Sequence, residues 1–281
     1  MKMKKWQKMM AVGALTIFSA MALTGCGDNK KAANGPDELK KLGKIRVAVF
    51  SDKIPFGYVD KNGVNRGYDV YFARRIAKDL LGDEKKVDFV LVEAAARTEV
   101  LEADKVDLVL ANFTVTKERA ERVDFCLPYM KCMLGVVSKN GVVKSVDDLK
   151  GKKLIVNKGT TAEIYFTKNH PDIELLKYDQ NTEAFQALKD GRGVALAHDN
   201  TEVFAWANRN AGYKCGIESL GSLDAIAPAV KKGNKALQTW VNDEIVNLGK
   251  ENFFHKAFEA ELKQDFGAVD PESVVVESGK M

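Results

Sequence analysis

Residues 111–119 of this 281-residue chain read Ala-Asn-Phe-Thr-Val-Thr-Lys-Glu-Arg, a mixture of hydroxyls, a carboxamide and a guanidinium suited to holding an anion. Arg119 offers a planar fork of donors to a carboxylate, and Thr114 and Thr116, beside Asn112 and Phe113, add hydroxyl and backbone donors. A second segment, Asn157-Lys158-Gly159-Thr160-Thr161, follows an apolar run and opens a helical pattern, where unpaired N–H groups favour negative charge. Asp199 follows another apolar run and is placed to meet an ammonium. Opposite charges in one site suit a zwitterion. Taken singly, each residue is also consistent with a structural duty: Arg119 on the surface, Gly159-Thr160-Thr161 as a helix cap, Asp199 as the N-cap of a helix near Thr201. Their shared position at strand ends favours a site. His170, His198 and His255 are scattered and no cysteine pair has zinc-ligand spacing with histidines nearby, so no metal and no cofactor are expected. Asp199 and Glu163 are conceivable general acids, but no independent nucleophile or acid/base pair accompanies them.

The elements that must position these residues alternate. Short β-branched or apolar runs at 45–49, 87–92 and 107–110 read as strands, with helical spacing at 68–81 and a short helix at 98–103. A second set follows: strands at 153–156, 175–178 and 194–197, helices at 161–168, 182–189 and 201–208, a last strand at 226–230 and an amphipathic stretch at 235–262. Such alternation predicts two α/β lobes. Ligands of open α/β sheets bind beyond the carboxyl ends of strands, so facing lobes place a cleft between them.

The amino terminus has a separate duty. Lys2, Lys4, Lys5 and Lys8 precede an apolar run at 9–23 that is short for a bilayer span, the pattern of a secretory signal. It ends in Leu23-Thr24-Gly25-Cys26, which matches a bacterial lipobox and predicts lipidation of Cys26 after cleavage of residues 1–25. Residues 26–36 have no apolar period and read as a flexible tether. The chain carries 43 Lys plus Arg against 39 Asp plus Glu; four of those lysines precede Cys26, which leaves 39 of each. A balanced surface gives no support to nucleic-acid binding. With Cys26 lipidated, Cys126, Cys132 and Cys215 remain. Cys126 and Cys132 read as small buried thiols, with a disulfide between them as the alternative.

Several segments resemble solute-binding proteins of polar amino-acid ABC transporters: Pro55-Phe56-Gly57-Tyr58, Gly67-Tyr68-Asp69-Val70, 111–119, Val123-Asp124-Phe125, 146–152, Gly159-Thr160-Thr161 and His198-Asp199. Within that group the chain is most similar to cysteine-binding receptors, through Val92-Glu93-Ala94-Ala95-Ala96-Arg97, Asp124-Phe125-Cys126, 178–183 and 197–201. The resemblance implies a two-lobed type 2 periplasmic-binding-protein fold with a two-strand hinge near 135–139 and 227–231, the first lobe from 37–135 plus 229–281 and the second from 136–228. It implies an extracytoplasmic receptor held by the Cys26 lipid, delivering a small amino acid, cysteine in particular, to a permease and its ATPase. Arg119, Thr116 and a backbone N–H near Thr161 would grip the α-carboxylate, beside Thr160; Asp199 and Thr114 would receive the α-ammonium, beside His198 and Asn112. Phe56, Phe113 and Tyr178 would bound a small side-chain pocket. Arg97 is the complication, because receptors for acidic amino acids in the same group use an arginine there for the side-chain carboxylate. Cyclohexadienyl dehydratases share this fold and supply the enzymatic alternative.

Overall fold

The computed structural model describes residues 32–281; the secretory signal at 1–25 and Cys26 lie outside them. Helix Tyr68–Leu81 illustrates how the sequence sets the architecture. Tyr68, Phe72, Ala73, Ile76, Ala77 and Leu80 recur at helical spacing and are buried. Gly67 starts the helix at φ 106°, where a Cβ would lie 2.5 Å from the Phe56 carbonyl oxygen, and Gly82 ends it in the left-handed region with its N–H on the Lys78 carbonyl.

That helix packs on a five-stranded sheet ordered Val87–Leu91, Ile45–Val49, Leu108–Val109, Ala229–Lys231, Val123–Phe125. The first three strands are parallel, and Ala229–Lys231 returns antiparallel between Leu108–Val109 and Val123–Phe125. The second sheet is ordered Glu174–Tyr178, Lys153–Asn157, Ala195–Asp199, Met130–Lys139, Tyr213–Ile226. Each sheet is mixed, with two parallel and two antiparallel strand pairs, and has buried clusters on both faces. The architecture is the two-lobed α/β fold expected from the sequence.

Three details differ from expectation. Residues 32–35 do not continue a flexible tether: Ala33 is buried, its N–H donates to Asp107 Oδ1 at 3.0 Å and its carbonyl accepts from Asn234 Nδ2 at 2.7 Å. The first crossing precedes 135–139, because Gly135 to Ser138 already pair with His198 to Ala195 inside the second sheet. The lobes are instead joined by a short antiparallel ribbon, in which Met130, Lys131 and Cys132 face Ile226, Ala225 and Asp224. Tyr213–Ile226 was not expected as a strand at all. Its pairing shifts register three times, and that destroys the alternation by which a strand is recognised in sequence. The amphipathic stretch at 235–262 contains helix Lys235–Gly249 and, after Asn252 at φ 53°, helix Phe253–Ala257.

Candidate functional site

The strand ends of both sheets converge on one buried polar layer. Ala111, Asn112, Phe113 and Thr114 leave strand Leu108–Val109, and helix Lys117–Arg122 follows. Thr116 is its N-cap, with Oγ1 accepting the Arg119 N–H at 3.2 Å. That cap orients the first turn so that the Arg119 side chain turns inward, where it is only 8% exposed. Arg119 donates through Nη1 to the Thr114 carbonyl at 2.6 Å and through Nη2 to the Gly159 carbonyl, on the other lobe, at 2.8 Å. Two of a guanidinium's five N–H donors are thus engaged among the described residues. The Arg119 guanidinium stands 4.9 Å from the Phe113 ring centre, and burial, opposed by Asp199, lowers its pKa to about 10.

Asp199 faces it from the second lobe, at the end of strand Ala195–Asp199 and 3% exposed. Its Oδ1 accepts from Thr161 Oγ1 at 3.2 Å and its Oδ2 from Asn112 Nδ2, across the cleft, at 3.4 Å. Thr160 caps helix Thr161–Asn169, accepting the Glu163 N–H and donating to the Asn157 carbonyl at 2.7 Å. Asn112 sits at φ 44°, with its N–H on Asp69 Oδ2 at 2.9 Å, and its side-chain oxygen is buried without a partner among the described residues. Asp69 also accepts from the Tyr129 hydroxyl at 2.5 Å; burial, opposed by these two donors, raises its pKa to about 6.

Arg97 does not point unpaired into the cleft. Its Nε donates to the Ala94 carbonyl, Nη1 to those of Ala111 and Asn112, and Nη2 to that of Gly159, at 2.9 to 3.2 Å. It lies 4.5 Å from the Phe113 ring centre and 5.6 Å from that of Phe50. Burial, with Arg119 nearby, lowers its pKa well below the ordinary guanidinium value. Four backbone carbonyls make it a brace for the strand-end loop.

Two expected pocket walls lie elsewhere. Phe56 is wholly buried in the first lobe, edge-on to Phe266 with ring centres 6.3 Å apart. The ring of Tyr178 packs on the cluster containing Ile155, Phe185 and Trp206, beside an outer groove with Gln186, Asp190 and Arg192. Both residues belong to segments that resemblance selected, and resemblance says nothing of which way a ring turns. The rings that stand against Arg97 are those of Phe113 and of Phe50, which follows strand Ile45–Val49 directly. Strand-end logic applied to that first strand would have found Phe50.

Lys53, His198, Thr201 and Glu202 complete the layer, and each is no more than 2% exposed. Lys53 Nζ lies 3.5 Å from His198 Nε2 across the cleft. Glu202 Oε2 and Thr201 Oγ1 have no hydrogen-bond partner among the described residues; burial, opposed by Lys53, raises the Glu202 carboxyl to about 7. A lysine in a Pro/Gly-rich loop and a glutamate inside a helix carry no local signal of burial, so sequence reasoning passed over both.

The lobes are in contact around this layer. Asp52 accepts from Asn181 Nδ2 at 2.9 Å and from the Thr182 N–H at 3.1 Å, and Arg209 donates to the Ile54 carbonyl at 2.7 Å. A cavity of about 190 Å³ opens at the hinge side, lined by Thr116, Thr161, Tyr165, Leu220 and Asp224 among others. Cys126 and Cys132 are buried free thiols at the hinge. No helix among the described residues is long and apolar enough to cross a membrane.

Residues 45–260 match the family described as bacterial extracellular solute-binding proteins, family 3. The cysteine-binding protein of Campylobacter jejuni is 57% identical and superposes with a TM-score of 0.85, covering 86% of this chain and 98% of that one. The solute receptor for L-cysteine of Neisseria gonorrhoeae is 54% identical, with a TM-score of 0.85, covering 86% of this chain and all of that one (100%). The ABC transporter glutamine-binding protein GlnH of Bacillus subtilis strain 168 is 30% identical over 270 residues, 92% of this chain and 98% of that protein.

Proposed function

The chain belongs to the bacterial extracellular solute-binding proteins, family 3, and from that premise we propose that it captures a small amino acid, L-cysteine, and presents it to an ABC importer. The observation that carries this reading is the pairing of Arg119 on one lobe with Asp199 on the other, both buried between the lobes. An α-carboxylate satisfies the donors that Arg119 leaves unused, and an α-ammonium meets Asp199, Asn112 and Thr114. Each half of the zwitterion then replaces water lost on closure with a charge-assisted partner.

The side chain is assigned to cysteine by two considerations. The cysteine-binding protein and the L-cysteine receptor above share more than half of their aligned residues with this chain. The four carbonyls around Arg97 use the donors that a second carboxylate would need, which disfavours glutamate as ligand. Calorimetric titration of the mature protein, unfolded and refolded to strip retained ligand, is expected to rank cysteine above serine and serine above glutamate under anaerobic reducing conditions. Tighter binding of aspartate, glutamate or glutamine would overturn the cysteine assignment and leave the receptor reading in place.

Cys26 is proposed as the lipid anchor that holds the receptor on the outer side of the cell membrane. Its replacement by serine removes the sulfur that accepts the lipid, so Cys26→Ser is expected to leave the membrane fraction for the soluble one. Unchanged membrane retention would refute anchoring at this residue.

A further inference from the structure

We propose that Lys53 and His198 form the subsite that receives the ligand's side-chain sulfur, so that this pair, and not Arg97, determines which amino acid is held. The inference rests on the receptor reading above and concerns residues that neither the family match nor the zwitterion argument assigns to the side chain.

The geometry is that of two donors facing each other. Lys53, at the end of strand Asp52–Lys53 in the first lobe, is 1% exposed, with Nζ 4.9 Å from the Phe50 ring centre. Among the described residues no carboxylate forms an ion pair with it, and its contact at hydrogen-bond range is His198 Nε2 at 3.5 Å. His198 lies on strand Ala195–Asp199 of the second lobe, and its Nδ1 accepts the backbone N–H of Asp199 at 2.7 Å. A ring nitrogen that accepts carries no proton. Burial, with Lys53 and Arg97 nearby, holds the imidazole pKa well below its usual value, so the ring is neutral and its single proton is on Nε2. That N–H points at an ammonium, which has no lone pair to accept it. The 3.5 Å contact is therefore not a hydrogen bond. It leaves a buried ammonium and a buried N–H both short of an acceptor, an arrangement costly unless a third group supplies one.

An acceptor placed against both atoms resolves the conflict and joins the lobes, since Lys53 and His198 come from opposite sides of the cleft. His198 immediately precedes Asp199. A ligand whose α-ammonium is held by Asp199 therefore reaches the donor pair with a short side chain. A sulfur one carbon from Cα meets that requirement, accepts from a charged donor, and sits comfortably against the Phe50 ring that Lys53 already covers. Alanine, with the same α-groups and no acceptor, leaves both donors unmatched. Aspartate offers a carboxylate at similar reach and is the competing chemistry.

Calorimetry with cysteine, alanine, serine and aspartate separates these. The wild-type protein is expected to prefer cysteine to alanine by about tenfold or more, the value of one acceptor bonded to a buried charge. In Lys53→Met, of similar length and without charge, that ratio is expected to fall to about threefold or less. His198→Gln, which keeps a donor, should retain more of the preference than Lys53→Met. It also reads the same ratio should Lys53→Met fail to fold. An unchanged cysteine-to-alanine ratio in Lys53→Met, or equal binding of the two by the wild type, overturns this inference while the receptor reading stands. Aspartate bound more tightly than cysteine by the wild type, with that preference lost in Lys53→Met, overturns sulfur as the occupant. A wild-type protein that binds none of the four takes both readings down together.

Discussion

Arg119→Ala is expected to weaken amino-acid binding by on the order of a hundredfold or more, because it removes the guanidinium that commits only two donors to backbone carbonyls and leaves the rest for the ligand carboxylate. The loss has two parts. The carboxylate forfeits a bidentate, charge-assisted partner in a closed and mostly dry cleft. Asp199, 3% exposed, then faces the site without the Arg119 guanidinium that opposes it, so the pocket becomes hostile to an anion. Arg119→Lys should recover only part of the affinity, since an ammonium offers a point charge without the planar fork that reaches both Thr114 and Gly159 at once. Titration calorimetry on the two variants checks this, with thermal unfolding of the ligand-free proteins to show that the fold survives. Wild-type affinity in Arg119→Ala would place the carboxylate elsewhere.

Gly159→Ala is expected to lose affinity to a similar degree by a different route, since it leaves every proposed ligand contact in place and blocks the approach of the lobes. A Cβ on Gly159 would stand 2.5 Å from Cα and 2.7 Å from N of Ala95, backbone atoms of the opposite lobe that no rotamer change can move aside. Carbon atoms prefer about 3.5–4.0 Å, so the lobes must separate by an ångström or more. The Gly159 carbonyl would then draw away from Arg97 and Arg119. The residue also sits at φ +72°, which costs an alanine roughly 1–2 kcal/mol whether the lobes are open or closed. Only the clash discriminates between states, and only a difference between states shifts closure. Small-angle scattering should show the wild type compacting on saturation with ligand and Gly159→Ala remaining extended. A variant that compacts like the wild type would remove Gly159 from the closure mechanism.

These two residues illustrate different degrees of legibility. Arg119 could be singled out because a threonine-rich segment between a strand and a helix is local information, and the capping role of Thr116 turned out to be what aims it. Gly159 was noticed as part of a helix start that offers N–H groups to an anion. Its importance at the cleft comes from Ala95, distant in sequence and brought against it by the meeting of two lobes. Phe56 and Tyr178 went wrong for a related reason. Both were assigned by the segments in which they occur, and a side chain's direction depends on which neighbouring surface offers it the better packing. Phe266 captured one ring, and the cluster around Ile155 and Phe185 captured the other.

The sequence by itself determined the two-lobed α/β organisation, since apolar period and strand–helix alternation are written within windows of ten to twenty residues. It also singled out Arg119 and Asp199 as candidates, because both stand where short strands end. The tertiary structure decided what those windows cannot contain. The ribbon joining the lobes, with its shifting register, is specified by contacts between residues some ninety positions apart. Lys53 and His198 became buried neighbours because elements of the two lobes closed over them. A residue's burial and charge environment are properties of everything that surrounds it, whereas period and capping are properties of its neighbours along the chain.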